Sequence, residues 1–331
     1  MPIVLITPEA MREKNGAYVA VLQDAGFEVR YPQNPHFARG LGGAAETIQE
    51  LQQVDAVIAS GELYSEESIS ALPQLRVIAR CGVGYDRVDV AAATRYEKPL
   101  TITPTANHEA VAELVMALLF AVAKNLIPND RQVREGNWPR VTPRALRGQT
   151  FGIFGLGRIG RSTALRAQGM GMKVIATEAF PLQAFVEEHE IELVDFDTLL
   201  QRSDVLSIHC PVTDETRGMF HRDVFAKMKP GAIFLNTARG KLVVEGDLIE
   251  SLASGHLYGA GLDVYEREPP APDNPLFSMQ KVVLSPHIAG TDELSLTAMG
   301  VEAAECIVKL YRGQWPDGAV VNNELKENWA W

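Results

Sequence analysis

The stretch from Thr150 to Glu178, TFGIFGLGRIGRSTALRAQGMGMKVIATE, constrains the fold more than any other part of the chain. An apolar run, Phe151 to Phe154, ends in Gly155-Leu156-Gly157-Arg158-Ile159-Gly160. A helix-length segment follows, then a second apolar run from Lys173 to Ala176, closed by the acidic Glu178. This is the order strand, tight turn, helix, strand. In such a βαβ unit the first glycine makes the turn, the second lets a pyrophosphate approach the backbone, and the third lets helix and strand pack closely. Free N–H groups and the positive dipole end at the helix start attract phosphate. Glu178 stands 23 positions beyond Gly155, placed to accept hydrogen bonds from the adenosine ribose hydroxyls and to repel a 2′-phosphate. The expected cofactor is therefore NAD rather than NADP. Glycines at this spacing also occur in ordinary turns, but here the strand before, the helix after and the acid beyond all fit.

A chain of 331 residues is too long for one average core, so two domains are expected. Its net charge of −11 argues against nucleic acid or an anionic membrane surface as partner, because both need a basic footprint. An anionic substrate must then be held by local cations. Cys81, Cys210 and Cys306 are far apart and odd in number, with no CxxC pair, so neither a disulfide framework nor a metal site is expected. Ile3 to Ile6 lacks a basic preceding region, and no run of about 18 apolar residues occurs. These features suggest a cytoplasmic protein.

The first hundred residues alternate short apolar runs (Ile3 to Ile6, Phe27 to Tyr31, Ala56 to Ala59, Val77 to Ala79, Leu100 to Thr103) with helical segments such as Ala44 to Gln53 and Glu66 to Leu72. That pattern means βαβ units and a parallel sheet. Residues 106 to 125 read as a long helix buried nearly all round. The segment from Arg131 to Arg147, with Trp138-Pro139-Arg140, reads as irregular. Further strands are expected at Val205 to His209, Ala232 to Leu235, Gly259 to Val264 and Val282 to Leu284, with a rigid Pro-rich loop from Glu268 to Pro275. A helix from Leu294 to Leu310 is expected to return to the first domain, and Gly313 to Asn323 to wander away from it.

Ligands of open parallel sheets collect beyond the carboxyl ends of the strands. The residues just after each apolar run are His209-Cys210-Pro211, Asn236-Thr237-Ala238-Arg239-Gly240, Asp263 with Glu268, and Ser285-Pro286-His287. One cation, one carboxylate and one imidazole thus converge on the rim expected to hold the cofactor. Each has a plainer reading: Arg239 as a surface arginine, Glu268 as a solvated loop carboxylate, and His209 as the imidazole that caps the sheet or touches the adenine side.

Several separated motifs agree in order: ARCGVGYDRVDV from Ala79, TPTANHEAVAEL from Thr103, GLGRIGR from Gly155, HCPVTDETRGMF from His209, NTARG from Asn236, GAGLDVYEREPP from Gly259 and SPHIAG from Ser285. On these the chain resembles the D-isomer-specific 2-hydroxyacid dehydrogenases, phosphoglycerate dehydrogenases among them, over nearly its whole length. The resemblance implies an α/β protein of two doubly wound parallel-sheet domains. A Rossmann NAD-binding domain at 103–290 would be inserted into a discontinuous flavodoxin-like substrate domain at 1–102 and 291–331. It implies that His287 donates and accepts the proton, Glu268 pairs with it, and Arg239 binds substrate. Arg158 and Ile159 match the pyrophosphate loop and Glu178 the ribose acid. His209, Cys210, Pro211, Thr237, Ala238, Arg239, His287 and Gly290 would line the cofactor, with Asp263 at the nicotinamide carboxamide. Gly82, Val83 and Gly84, with Arg80, match the loop that holds the substrate carboxylate. Glu178 replaces a more usual Asp, and Val83 stands where some relatives carry Thr.

The implied activity is hydride transfer between NAD(H) and a small 2-hydroxy or 2-keto acid. Candidate substrates are 3-phosphoglycerate and, at the same level, glyoxylate or hydroxypyruvate. Ala59 stands where phosphoglycerate-oxidising relatives tend to place an arginine, and Arg80 or Arg140 would have to supply that charge. A phosphite-oxidising enzyme ranks third. A rival of another class is an NADH-dependent corepressor-like binding protein. The long apolar helix and the Trp138 segment suggest a homodimer.

Overall fold

The structure, a computed structural model, describes every residue from Met1 to Trp331. It contains two sheets in two units, one formed by Met1–Asn107 with Gly290–Trp331, the other by His108–Ala289. In the first unit β1 (Ile3–Ile6), β2 (Glu28–Arg30), β3 (Ala56–Ala59), β4 (Val77–Arg80) and β5 (Leu100–Thr101) are all parallel, in the order β2-β1-β3-β4-β5. This is the doubly wound order of flavodoxin-like sheets. The strands are continuous apolar runs because both faces are covered. Val4, Ile6, Ala56, Ile58, Val77 and Ala79 pack on one side, and Leu5, Val57, Ala59 and Ile78 on the other.

The second unit carries β6 (Thr150–Phe154), β7 (Lys173–Thr177), β8 (Glu192–Leu193), β9 (Val205–Ile208), β10 (Ile233–Asn236), β11 (Gly259–Leu262) and β12 (Val282–Leu284). Their order is β12-β11-β10-β9-β6-β7-β8, again wholly parallel. Chain direction across the sheet reverses between β6 and β9, the Rossmann switch point. The helix Arg158–Gly169 leaves the glycine turn directly after β6.

Three expectations need correction. The segment after residue 125 is not irregular from Arg131: a helix spans Leu126–Arg134, bent 60° from the preceding helix His108–Ala123. Asn125 in the left-handed region (φ +54) ends one helix and starts the next, and Pro128 falls in the first turn, where no intrahelical N–H is lost. Ion pairs four residues apart, Asp130 with Arg134 (2.8 Å) and Arg131 with Glu135 (2.9 Å), support it although none of its residues is buried. The long helix itself is not buried all round. Glu109, Glu113, Ala117 and Phe120 form an exposed stripe, with both carboxylates on Arg166 (2.7 and 3.3 Å). No single helix is long and apolar enough to cross a membrane.

The third concerns the chain after the helix Glu293–Tyr311, which packs Ala303, Ala304 and Ile307 into the core of the first unit. Instead of wandering away, residues 319 to 322 run antiparallel along β5. Ile102 N–H donates to Ala319 O (2.9 Å) and Val321 N–H to Leu100 O (2.8 Å). A bare sheet edge is thereby covered. Asn322, 1% exposed, accepts from Leu100 N–H (2.8 Å) and donates to Lys98 O (3.0 Å). Asn322→Ala leaves both backbone groups without these partners and should cost about 1–3 kcal/mol of stability. Urea unfolding followed by fluorescence measures this, and an unmoved midpoint would contradict the edge-sealing role.

Candidate functional site

The glycine turn divides its work between protein packing and open space. Gly155 has φ +100, and a Cβ there would lie 3.0 Å from Cys210 N and from the His209 carbonyl carbon. At Gly160 it would lie 2.1 Å from Gly155 O, whereas at the exposed Gly157 it would meet nothing within 4 Å. Exposed Arg158 and half-buried Ile159 begin the helix, whose first N–H groups have no partner within it. Glu178 accepts from Leu156 N–H (2.6 Å) and Phe180 N–H (2.9 Å), which anchors its carboxylate against the turn. An open glycine, a helix start and a fixed carboxylate fit a dinucleotide.

At the end of β9, burial lowers the pKa of His209 to about 3, so its imidazole is neutral. Its Nε2 lies 3.0 Å from Ser207 Oγ, two residues back in β9. Burial pushes the neighbouring Cys210 thiol up to about 12, and Pro211 is exposed. After β10, the buried Asn236 side chain accepts from Ala238 N–H (3.0 Å) and donates to Arg239 O (2.9 Å), pinning the turn that carries Arg239. Thr237 Oγ1 is buried with no protein partner, as expected of a hydroxyl that meets a ligand. Arg239 Nη1 donates to Ala238 O (2.6 Å).

His287 and Glu268, 19 residues apart in sequence, meet with Nδ1 2.7 Å from Oε2. Their side chains are 47% and 33% exposed, so the pair is open to a ligand. His287 adopts φ +58, uncommon for a residue with a side chain. Burial opposes ionisation of Glu268. The His287 hydrogen bond and charge, Tyr265 N–H (3.1 Å) and the charge of Arg239 together outweigh it and hold the carboxyl below its ordinary value. The sign follows: any stability this carboxylate contributes is present above the ordinary glutamate range and is lost as pH falls through its lowered folded-state value. Glu268 is thus ionised at neutral pH.

Asp263, fully buried, is committed to backbone groups: Oδ1 accepts from Ile288 N–H (3.0 Å) and Oδ2 from Ala289 N–H (2.9 Å). It holds the residues just after His287. The other expected site residues, Arg80, Gly82, Val83, Gly84 and Gly290, belong to the first unit. Gly82 N–H donates to Thr103 Oγ1 (2.8 Å), and Arg80 Nε donates to Gly84 O (3.0 Å), so Arg80 braces that loop. A Cβ on Gly290 would lie 2.7 Å from Asn107 Nδ2. Sequence reasoning passed over Asn236 as an anchor and Tyr265 altogether. Tyr265 sits two residues past Asp263 in a motif already singled out, but nothing in the motif says what its hydroxyl touches.

Residues 116–289 match the family model described as "D-isomer specific 2-hydroxyacid dehydrogenase, NAD binding domain". The chain is similar to a D-3-phosphoglycerate dehydrogenase of Archaeoglobus fulgidus, 40% identical over 81% of this chain and 51% of that protein. It thus spans about half the length of that relative. A glyoxylate reductase of Korarchaeum cryptofilum is 37% identical over 84% of this chain and 86% of its own. Among solved structures, the TT0316 protein of Thermus thermophilus matches with a TM-score of 0.85 and 33% identity, over 96% of this chain and all of that one.

The glycine turn separates folding from binding. Gly157→Ala should leave the unfolding midpoint unchanged yet weaken NADH binding by about tenfold or more, because its Cβ would meet no protein atom but would stand in the way of a pyrophosphate laid on the turn. Fluorescence titration measures this, and wild-type affinity in that variant would contradict the assignment.

Proposed function

The chain belongs to the D-isomer specific 2-hydroxyacid dehydrogenase family, and from that premise we propose that it is an NAD-dependent oxidoreductase interconverting a small 2-hydroxy acid and its 2-keto acid. The observation that carries this reading is the 2.7 Å contact of His287 with Glu268 at the carboxyl edge of the sheet that also carries the glycine turn.

NADH, when bound, supplies the hydride for the carbonyl carbon. The chain's own residues do the rest. Glu268 accepts from His287 Nδ1, which fixes the tautomer and turns Nε2 toward the substrate as proton donor. Arg239, with a planar fork of donors, grips the carboxylate and polarises the carbonyl. The turn around Gly157 takes the pyrophosphate and Glu178 the ribose hydroxyls, favouring NAD over NADP. Thr237 faces the nicotinamide end, while Asp263 acts from behind it by holding the residues just after His287.

The substrate we favour is an unphosphorylated acid of the glyoxylate or hydroxypyruvate class. At the carboxyl end of β3, after Ala59, stands not a cation but a fully buried carboxylate, Glu62. It accepts from Thr7 Oγ1 (2.8 Å) and Tyr64 OH (2.8 Å). The end of β3 thus offers a phosphate no cation of its own, and the charge of Arg80 is partly spent on the buried Glu62. Similarity to a phosphoglycerate dehydrogenase keeps 3-phosphoglycerate as the second reading. The exposed apolar residues Leu126, Ile127, Val133, Trp138 and Val141 support a homodimer, and three free cysteines support a cytoplasmic location.

Steady-state assays with a panel of 2-keto acids and NADH, beside 3-phosphoglycerate and NAD, test the proposal. Turnover of glyoxylate or hydroxypyruvate is expected. Turnover of none, with NADH-driven assembly, would favour the binding-protein reading instead. Arg239→Lys should lose about 2–4 kcal/mol in kcat/KM, the scale for one preorganised donor; an unchanged value would remove its role. Glu268→Gln replaces the carboxylate that accepts from His287 Nδ1 with a neutral amide, so turnover should fall about 10²-fold or more with NADH affinity unchanged, and wild-type turnover would refute the pairing.

A further inference from the structure

Three loops remote in sequence carry Arg239, Glu268 and His287, and one residue outside that trio touches all three. Tyr265 N–H donates to Glu268 Oε1 at 3.1 Å. Its hydroxyl donates to Ser285 O at 2.9 Å, two residues before His287. Its carbonyl lies against Gly240, the residue after Arg239, so closely that a Cβ there would come within 1.8 Å of Tyr265 O. We propose that Tyr265 is a positioning residue of this site, whose hydroxyl sets the height of the His287 loop against the Glu268 carboxylate. The inference rests on the roles proposed above for His287 and Glu268.

The geometry gives the hydroxyl a task that packing alone does not. His287 sits in the left-handed region, and its loop is fixed on both sides: Asp263 binds Ile288 and Ala289 N–H after it, and Tyr265 binds Ser285 O before it. Asp263 and Tyr265 follow β11 two residues apart, so one rigid segment holds both ends. The ring is 7% exposed and packs into the core with Leu262 and Leu276. Burial, reinforced by the charge of Asp263, pushes the phenol up to about 12, so it keeps its proton as a donor at neutral pH. Ring and hydroxyl can be separated by experiment, since phenylalanine keeps the first and removes the second. Without the hydroxyl, the stretch before His287 keeps only the Ser285 N–H bond to Leu262 O (2.9 Å), Ser285 O loses its donor, and Nδ1 gains freedom to drift from Oε2.

The test is Tyr265→Phe in the full-length protein, read in two ways. In steady-state assays kcat for the best 2-keto acid should fall about three- to tenfold, the span for one neutral hydrogen bond, with KM and NADH affinity within about twofold of wild type. In the protein without cofactor, the downfield proton resonance of His287 Nδ1, assigned by its absence from His287→Asn, should be lost or broadened in Tyr265→Phe. A normal kcat with an intact resonance would overturn the proposal, and so would a loss confined to KM. If wild type turns over no acid, the catalytic reading falls separately, and the resonance alone decides whether Tyr265 holds the pair.

Discussion

Parallel pairing in register is the constraint on which the site depends. Asn236 of β10 faces Leu262 of β11, and Leu262 faces Leu284 of β12. Three strands far apart in sequence therefore end at one level, and the loops that leave them begin side by side. A slip of one residue would turn every side chain to the opposite face. The buried surfaces of these strands, Phe234, Ala260 and Leu262 on one side, Ile233, Leu235 and Val283 on the other, fix the register energetically. Chemistry at the rim is thus inherited from packing in the sheet.

Backbone groups rather than side-chain pairs then do most of the fine placement. Asn236 ties the turn of Arg239, Asp263 the residues after His287, Tyr265 the residue before Pro286, and Glu178 the glycine turn. Each is a polar group that folding would penalise if it were left unpaired, so its satisfaction and the shape of the site are one requirement. The His287 and Glu268 side chains, by contrast, stay 47% and 33% exposed, open to a ligand.

Much of this was legible in the sequence because parallel strands buried on both faces leave unbroken apolar runs, and a phosphate-binding turn demands glycine at fixed offsets. The pairing of His287 with Glu268 was legible only through the strand-end rule joined to a family resemblance, since no local pattern links residues 19 apart across a Pro-rich loop. The helix Leu126–Arg134 was hidden because it buries no face, and the two-residue β8 because both its residues are exposed. The strip along β5 was hidden because its bonds run through the backbone. Tyr265 shows the same limit, as a hydroxyl bound to a carbonyl leaves no trace in spacing.

The central claim is that His287 transfers the proton and is not needed to hold the cofactor. The direct test is His287→Ala, with NADH binding followed by fluorescence and reduction of the best 2-keto acid followed by absorbance. The account predicts near-native affinity for NADH with turnover reduced by at least about 10²-fold, the lower bound for loss of a positioned acid. Turnover within a few-fold of wild type would contradict it.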